Sequence, residues 1–319
     1  SAGLDIFRFN LDGQLNGLTL SAEYRFYPYM NTIHHGWVGY DLSRGDQLQV
    51  GITRVPFGLL PYASHNFWFG IPYYLGLADD HDMGAKYLRK RGAADLQIGF
   101  FKNAELGDAT NLNRYSYDPV VVAGAAANEE DNTIDARYAY TFGNGTDCTH
   151  ELGVSGQLGQ LYNRDTGRQG TVRAAAAHVD SRCGRWNLQL ELVQYDHAAL
   201  NPAGVSRDTV TYGAFAGSYP VASEGTVLVV NGAYNLPVSG QHIDLLTCYN
   251  DFSVLRKSPR GFDNSYLNTT GCLISDGPTF IYVDLINAHN MVFFDGGSLA
   301  GGGDAGIETR LNINLGYYW

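Results

Sequence analysis

No stretch of this chain approaches about 18 uninterrupted apolar residues, the least a membrane-crossing helix needs, so a transmembrane helix is excluded. Charged residues are scarce, at 17% of 319. Those present lean acidic, with 32 Asp and Glu against 21 Lys and Arg and a formal net charge of −11. Nucleic-acid phosphates repel such a surface, so no nucleic-acid partner is expected. The four cysteines, Cys148, Cys183, Cys248 and Cys272, form no CxxC and match no zinc spacing. There is no GxSxG, no HExxH, no P-loop and no GxGxxG after a strand. No enzyme activity, catalytic residue, cofactor or metal site is therefore expected. The chain shows no signal peptide, so an exported form is expected to be mature or trimmed. No repeat of about 40–50 residues is visible, which disfavours a propeller.

What the chain does have is tyrosine (22), glycine (39) and alternation. From Glu308 to Trp319, Thr309, Leu311, Ile313, Leu315, Tyr317 and Trp319 share one face of an extended strand. Glu308, Arg310, Asn312, Asn314, Gly316 and Tyr318 share the other. A period of two is the mark of a strand whose faces meet different environments. Here the polar face holds a charge pair and the apolar face ends in aromatics. A strand with lipid outside, water inside and an aromatic girdle at the interface has that pattern. It recurs at Leu18–Phe26, Gln47–Thr53, Leu96–Phe101, Thr133–Phe142 and Trp186–Tyr195.

The expected fold is all-β: a transmembrane antiparallel β-barrel occupying residues 1–319 as a single domain. A large sandwich is the alternative. Tight turns at 43–46, 91–94 and 181–184 fall on one end of the strands. Longer connections at 55–82, 104–131, 196–225 and 294–306 fall on the other, the asymmetry of outer-membrane barrels. The first strand is expected over Leu4–Leu11, turning at Asp12-Gly13. With 196–225 as one loop the count is 15. Single-chain bacterial barrels have even counts, so about 16 strands are expected, with 14 as the alternative. Cys148 and Cys183 sit in turns at one end of consecutive hairpins, where a staple is geometrically natural. Cys248 and Cys272 are equidistant from Arg260 and could thus be directly opposed across one hairpin. An oxidising compartment suits both pairs.

The terminal aromatics, the hairpin series, and the stretches Ala22–Tyr27, Arg54–Gly58 and Thr309–Tyr318 resemble Gram-negative outer-membrane porins. The nearest flavour is the broad group that includes the phosphate-selective porins. The resemblance implies a place in the bacterial outer membrane, contact with lipid and lipopolysaccharide, a homotrimer, and passive diffusion of small hydrophilic solutes and ions. Phosphate-selective members line the lumen with Arg and Lys. Here inward positions carry both signs, so phosphate selectivity is not carried over.

Strand parity sends Arg8, Glu23, Arg25, Asp41, Lys86, Asp135, Arg137, Glu151, Arg173, Glu191, Asp284 and Arg310 inward. Charged rings of this kind are how pores select. The expected pore lining or constriction is Glu23, Arg25, Asp41, Lys86, Asp135, Arg137, Asp284 and Arg310. Arg54 joins them, because it breaks the parity of its strand at the mouth of loop 55–82. That loop holds Phe67, Trp68, Tyr73 and Tyr74. Exposed aromatics in that number invite aggregation, so the loop is expected to fold into the pore or pack against a neighbouring subunit. Inside, it would narrow the channel and offer faces to sugars or small organic acids, a substrate-specific alternative to general diffusion. A plugged structural or adhesin barrel is a third reading. His34-His35 reads as a lumen or rim pair without ligand partners. Asp79-Asp80-His81-Asp82 reads as a solvated loop end, with a divalent-ion site as the alternative.

Overall fold

The computed structural model describes residues 2–143, 147–238, 243–294, 297–301 and 306–318. Trp319, the centre of the Gly143–Cys148 turn and much of the Gly296–Gly306 loop lie outside the described residues. The strands are β1 (Phe7–Leu15), β2 (Leu18–Phe26), β3 (Asn31–Ser43), β4 (Asp46–Arg54), β5 (His81–Arg91), β6 (Ala94–Ala104), β7 (Asp118–Pro119), β8 (Asn128–Phe142) and β9 (Cys148–Asn163). They continue as β10 (Arg168–Cys183), β11 (Trp186–Ala198), β12 (Thr209–Ala214), β13 (Gly217–Ala222), β14 (Glu224–Leu236), β15 (Leu245–Lys257), β16 (Ser265–Asp276), β17 (Thr279–His289) and β18 (Glu308–Tyr317). One short helix, α1 (Ile71–Tyr74), lies in the loop between β4 and β5.

Fifteen strands form one antiparallel meander, from β1 through β6, then β8–β11, then β14–β18. The other three, in the order β13-β12-β7, make a small second sheet. The expectation of 16 wall strands is thereby corrected, as is the alternative of 14. Thr209–Ala222 leaves the wall as a hairpin and pairs with Asp118-Pro119 of the preceding long connection. Among the described residues the wall does not close: β1 and β18 are its two edges, and an odd count leaves them running in the same sense.

Turn chemistry fixes the first register. β1 runs on past the expected Asp12-Gly13 turn, and the chain reverses at Asn16-Gly17, whose φ values are 51° and 79°. Two consecutive positive φ angles are what a two-residue hairpin needs, and Asn-Gly supplies them most cheaply. Both cysteine pairs lie directly opposite in ladders, Cys148 with Cys183 and Cys248 with Cys272, and both are disulfide-bonded.

The outer face is apolar, as alternation requires. Leu20, Val38, Val50, Ile98, Ile134, Val154, Leu192, Leu228 and Leu285 are all exposed on it. The inner face divides in two. On β10, β11 and β14–β17 many inward positions are themselves apolar, among them Val172, Val193, Val227, Val229, Leu267 and Ile286. They pack against Phe57, Leu59, Ile71, Leu75, Tyr212 and Val221 from the long connections. That side of the interior is filled. Along β1–β6 the inner face is polar and bounds a cavity.

Candidate functional site: a lined cavity beside an inward-folded loop

The connection between β4 and β5 enters the barrel and is bound to its wall along its whole length. The Gly58 amide donates to Ser155 Oγ at 2.9 Å, and the Leu59 amide to Glu191 Oε1 at 2.8 Å. Arg137 Nε donates to the Gly58 carbonyl at 2.8 Å. Only glycine fits there: φ is +62°, and a Cβ would stand 2.1 Å from Glu191 Oε1. Further on, Asn231 Nδ2 donates to the Ala63 carbonyl at 2.9 Å, and the Ile71 amide to Ser253 Oγ at 3.1 Å. Tyr219 OH of the small sheet donates to the Tyr74 carbonyl at 2.6 Å.

Asp251 on β15 is the densest of these anchors. It accepts from the His65 amide at 2.6 Å, His65 Nδ1 at 2.8 Å, Asn66 Nδ2 at 2.8 Å, the Asn66 amide at 3.2 Å and Ser64 Oγ at 3.3 Å. His65 Nε2 meets Asn187 Oδ1 at 2.7 Å. The Asn187 amide nitrogen is committed to Asp180 and to the Ser181 carbonyl, so its oxygen must face the ring. Both ring nitrogens thus face acceptor oxygens, an arrangement that favours the protonated ring. Burial pushes its pKa down, but the hydrogen bond and charge of Asp251 outweigh burial and hold it above the ordinary value.

The second long connection, 105–127, stacks on the first. Tyr73 and Tyr117 meet edge to face at 5.2 Å, and Tyr115 OH donates to Asp79 Oδ2 at 2.6 Å. Arg114, fully buried, holds its base through Asp118 Oδ2 at 3.3 Å and the carbonyls of Asn111 and Asp108 at 3.0 Å each. Burial raises the pKa values of Glu105 and Asp118, against the opposing pull of Arg114.

The remaining cavity measures about 1850 Å³ and reaches the seam between β1 and β18, where Leu311, Ile313 and Leu315 border it. Its charged lining is Asp5, Arg8, Glu23, Arg25, Arg54, Asp79 and Lys86. Phe67, Trp68, Tyr73 and Tyr74 line the loop side, joined by Tyr62, Phe69 and Tyr115. Arg25 pairs with Glu23 and lies 4.3 Å over the Tyr115 ring. Arg54 Nη2 pairs with Asp79 Oδ1 at 3.0 Å, and Lys86 Nζ donates to the Arg54 carbonyl at 2.7 Å.

Of the residues expected to line a pore, Glu23, Arg25, Arg54 and Lys86 meet in this cavity with the four loop aromatics. The rest lie elsewhere. Asp135 and Arg137 point inward but are buried beneath the loop, Arg137 pairing with Glu151 at 2.5 Å. Asp284 is buried and accepts from Tyr249 OH at 2.6 Å. Asp41 is exposed near the short-turn end, accepting from Gln47 Nε2 at 2.8 Å. Arg310 faces inward but lies against Phe294, 4.4 Å from the ring centre. Arg173 is exposed on the outer face, because its neighbours Val172 and Ala174 take the inward positions. Asp79-Asp80-His81-Asp82 is buried, not solvated, under the second connection. Parity alone did not locate Tyr115, Tyr117 and Phe215, which come from connections with no period.

No protein-family model and no characterised protein sequence matches the chain. Solved structures do. The outer membrane channel DcaP of Acinetobacter baumannii is similar over 97% of this chain and 83% of its own, at 10% identity and a TM-score of 0.62. An anion-selective porin from Comamonas acidovorans is similar over 97% of this chain and 87% of its own, at 12% identity and a TM-score of 0.57. OmpT from the outer membrane of Vibrio cholerae matches over 98% of this chain and 89% of its own, at 14% identity and a TM-score of 0.56. The fold is that of outer-membrane channel barrels. The likeness does not single out the phosphate-selective group.

Proposed function

We propose that the chain is a porin of the bacterial outer membrane, a non-enzymatic barrel through which small hydrophilic solutes and ions diffuse. One observation carries this reading. An outer face of exposed aliphatic residues encloses a cavity of about 1850 Å³ lined by charged side chains of both signs, narrowed by a loop anchored inside. An apolar exterior around a polar interior suits lipid outside and water within. Lipid offers no hydrogen bonds to a sheet edge, so the working form is a closed barrel. Residues 1–319 act as one barrel unit within a homotrimer, set among lipid and lipopolysaccharide. The trimer has support in one form of the Vibrio cholerae OmpT structure, described as a trimer.

Among the cavity charges, Arg8, Arg25, Arg54 and Lys86 face Asp5, Glu23 and Asp79. The balance leans cationic and favours anions slightly. A second reading has its own support: the Arg25 guanidinium lies over the Tyr115 ring in a cavity that Tyr62 and Trp68 also line. Guanidinium groups beside aromatic faces suit a small organic acid with a flat apolar part. Single-channel recording in planar bilayers tests both readings. Steady conducting steps with a weakly anion-favouring reversal potential are expected, and concentration-dependent block by an aromatic acid would establish the specific channel. A folded protein that conducts nothing would refute the diffusion reading.

A further inference from the structure

The paired histidines of β3 acquire a partner from 46 positions further on. His34, His35 and His81 each place one ring nitrogen within 4.8 Å of the others. His34 and His81 are only 4% and 2% exposed, yet both line the cavity. Their hydrogen bonds settle which nitrogens are free. Ser21 Oγ gives its one proton to Asp12 Oδ1 at 2.6 Å, so it accepts from His35 Nε2 at 2.9 Å. His35 Nδ1 then carries a lone pair, and it accepts from His34 Nδ1 at 2.8 Å. This leaves His34 Nε2 as a lone pair, and it has no hydrogen-bond partner among the described residues. His81 Nδ1 donates to the Asp79 carbonyl at 3.0 Å, which fixes its Nε2 as a lone pair too.

The unpartnered His34 Nε2 faces Asp79 Oδ2 at 3.9 Å. Two acceptors confront each other across a gap too long for a hydrogen bond. A cation bound to both would fill it. We propose that His34 and His81, with Asp79, form a lumen site for a divalent transition-metal ion of the zinc, nickel or copper type, while His35 Nδ1 accepts from His34 Nδ1 and so orients the ligating ring. Imidazole nitrogens select these ions over calcium and magnesium, which take oxygen. The contact from His81 Nδ1 to a backbone carbonyl is the second-shell arrangement that orients a metal-binding ring. The nearby Arg25 and Arg54 are already paired with Glu23 and Asp79, so the ion does not face bare positive charge. Asp79 belongs to the end of the constriction loop, and His34 and His81 belong to the wall strands β3 and β5. A bound ion would therefore tie the loop to the wall and add positive charge to the lumen.

The test is a Co²⁺ titration of the purified, folded protein in detergent, followed by visible absorption, with Zn²⁺ as competitor. It needs no open pore, so its failure is distinct from failure of the channel reading. One equivalent of Co²⁺ is expected to give a visible absorption band, which Zn²⁺ bleaches. His34→Gln/His81→Gln is expected to weaken binding about tenfold or more, and His81→Gln alone to weaken it measurably. His289→Gln, outside the site, leaves it unchanged. Folding of each variant is checked by heat-dependent mobility on a gel. No band from wild type in molar excess of Co²⁺ overturns the proposal. So does a band that survives the double substitution.

Discussion

Replacing Asp251 by Asn should release the constriction loop from its wall. The carboxylate is 4% exposed and gathers five donors from Ser64, His65 and Asn66. Breaking a buried pair by removing one charge costs about 3–5 kcal/mol, because the partner stays buried and uncompensated. Asn keeps one acceptor oxygen, so the low end applies, about 3 kcal/mol. That is roughly a hundredfold in the ratio of released to docked loop. The assay is single-channel recording at constant voltage. A docked loop gives a steady level, and a released loop swings into the 1850 Å³ cavity and interrupts it. The time spent in brief sub-levels should rise strongly in Asp251→Asn. His65→Ala should do the same, and the two together should cost little more than either alone, because they remove the same pair. Wild-type noise in a folded Asp251→Asn protein, or full additivity in the double variant, would refute the reasoning.

The same clamp should weaken as pH rises. His65 has a raised pKa, so its contribution is complete below its unfolded value of about 6.5 and is lost as pH passes the folded value. Glu105 and Asp118 are raised by burial, so the stability they retain when protonated is complete below about 4 and declines as pH climbs through their native values. Both shifts have one sign: sub-level time should increase from mildly acid to alkaline solution, and a flat or opposite trend would contradict it. On β14, Val229 faces the loop-filled interior and Leu228 faces outward. Val229→Ser should raise sub-level time while leaving refolding into vesicles near wild type, whereas Leu228→Ser should impair refolding and leave channel noise unchanged.

Sidedness was legible in the sequence, and what lies on each side was not. Alternation at Leu18–Phe26 and over Glu308–Tyr317 assigned faces that the structure keeps, since a strand has only two. The two cysteine pairs were legible because a hairpin sets which residues oppose each other. The same parity sent Asp135, Arg137 and Asp284 inward without distinguishing water from protein, and they ended beneath the loop. His34 and His81 were not legible as neighbours, because β4 lies between their strands and no local pattern spans that distance. Yet one trace of the filled side was present in the composition of the strands. Thr226–Val230 reads Thr-Val-Leu-Val-Val, apolar on both faces, where Trp186–Tyr195 still sets Gln189 and Glu191 inward. In a soluble sheet, an unbroken apolar run marks a strand covered on both sides. In a barrel one cover is lipid, so a run like this requires the other to be protein. Loss of alternation in a wall strand therefore locates where an interior loop is seated, and persistence of alternation, as along β2 and β4, locates the water.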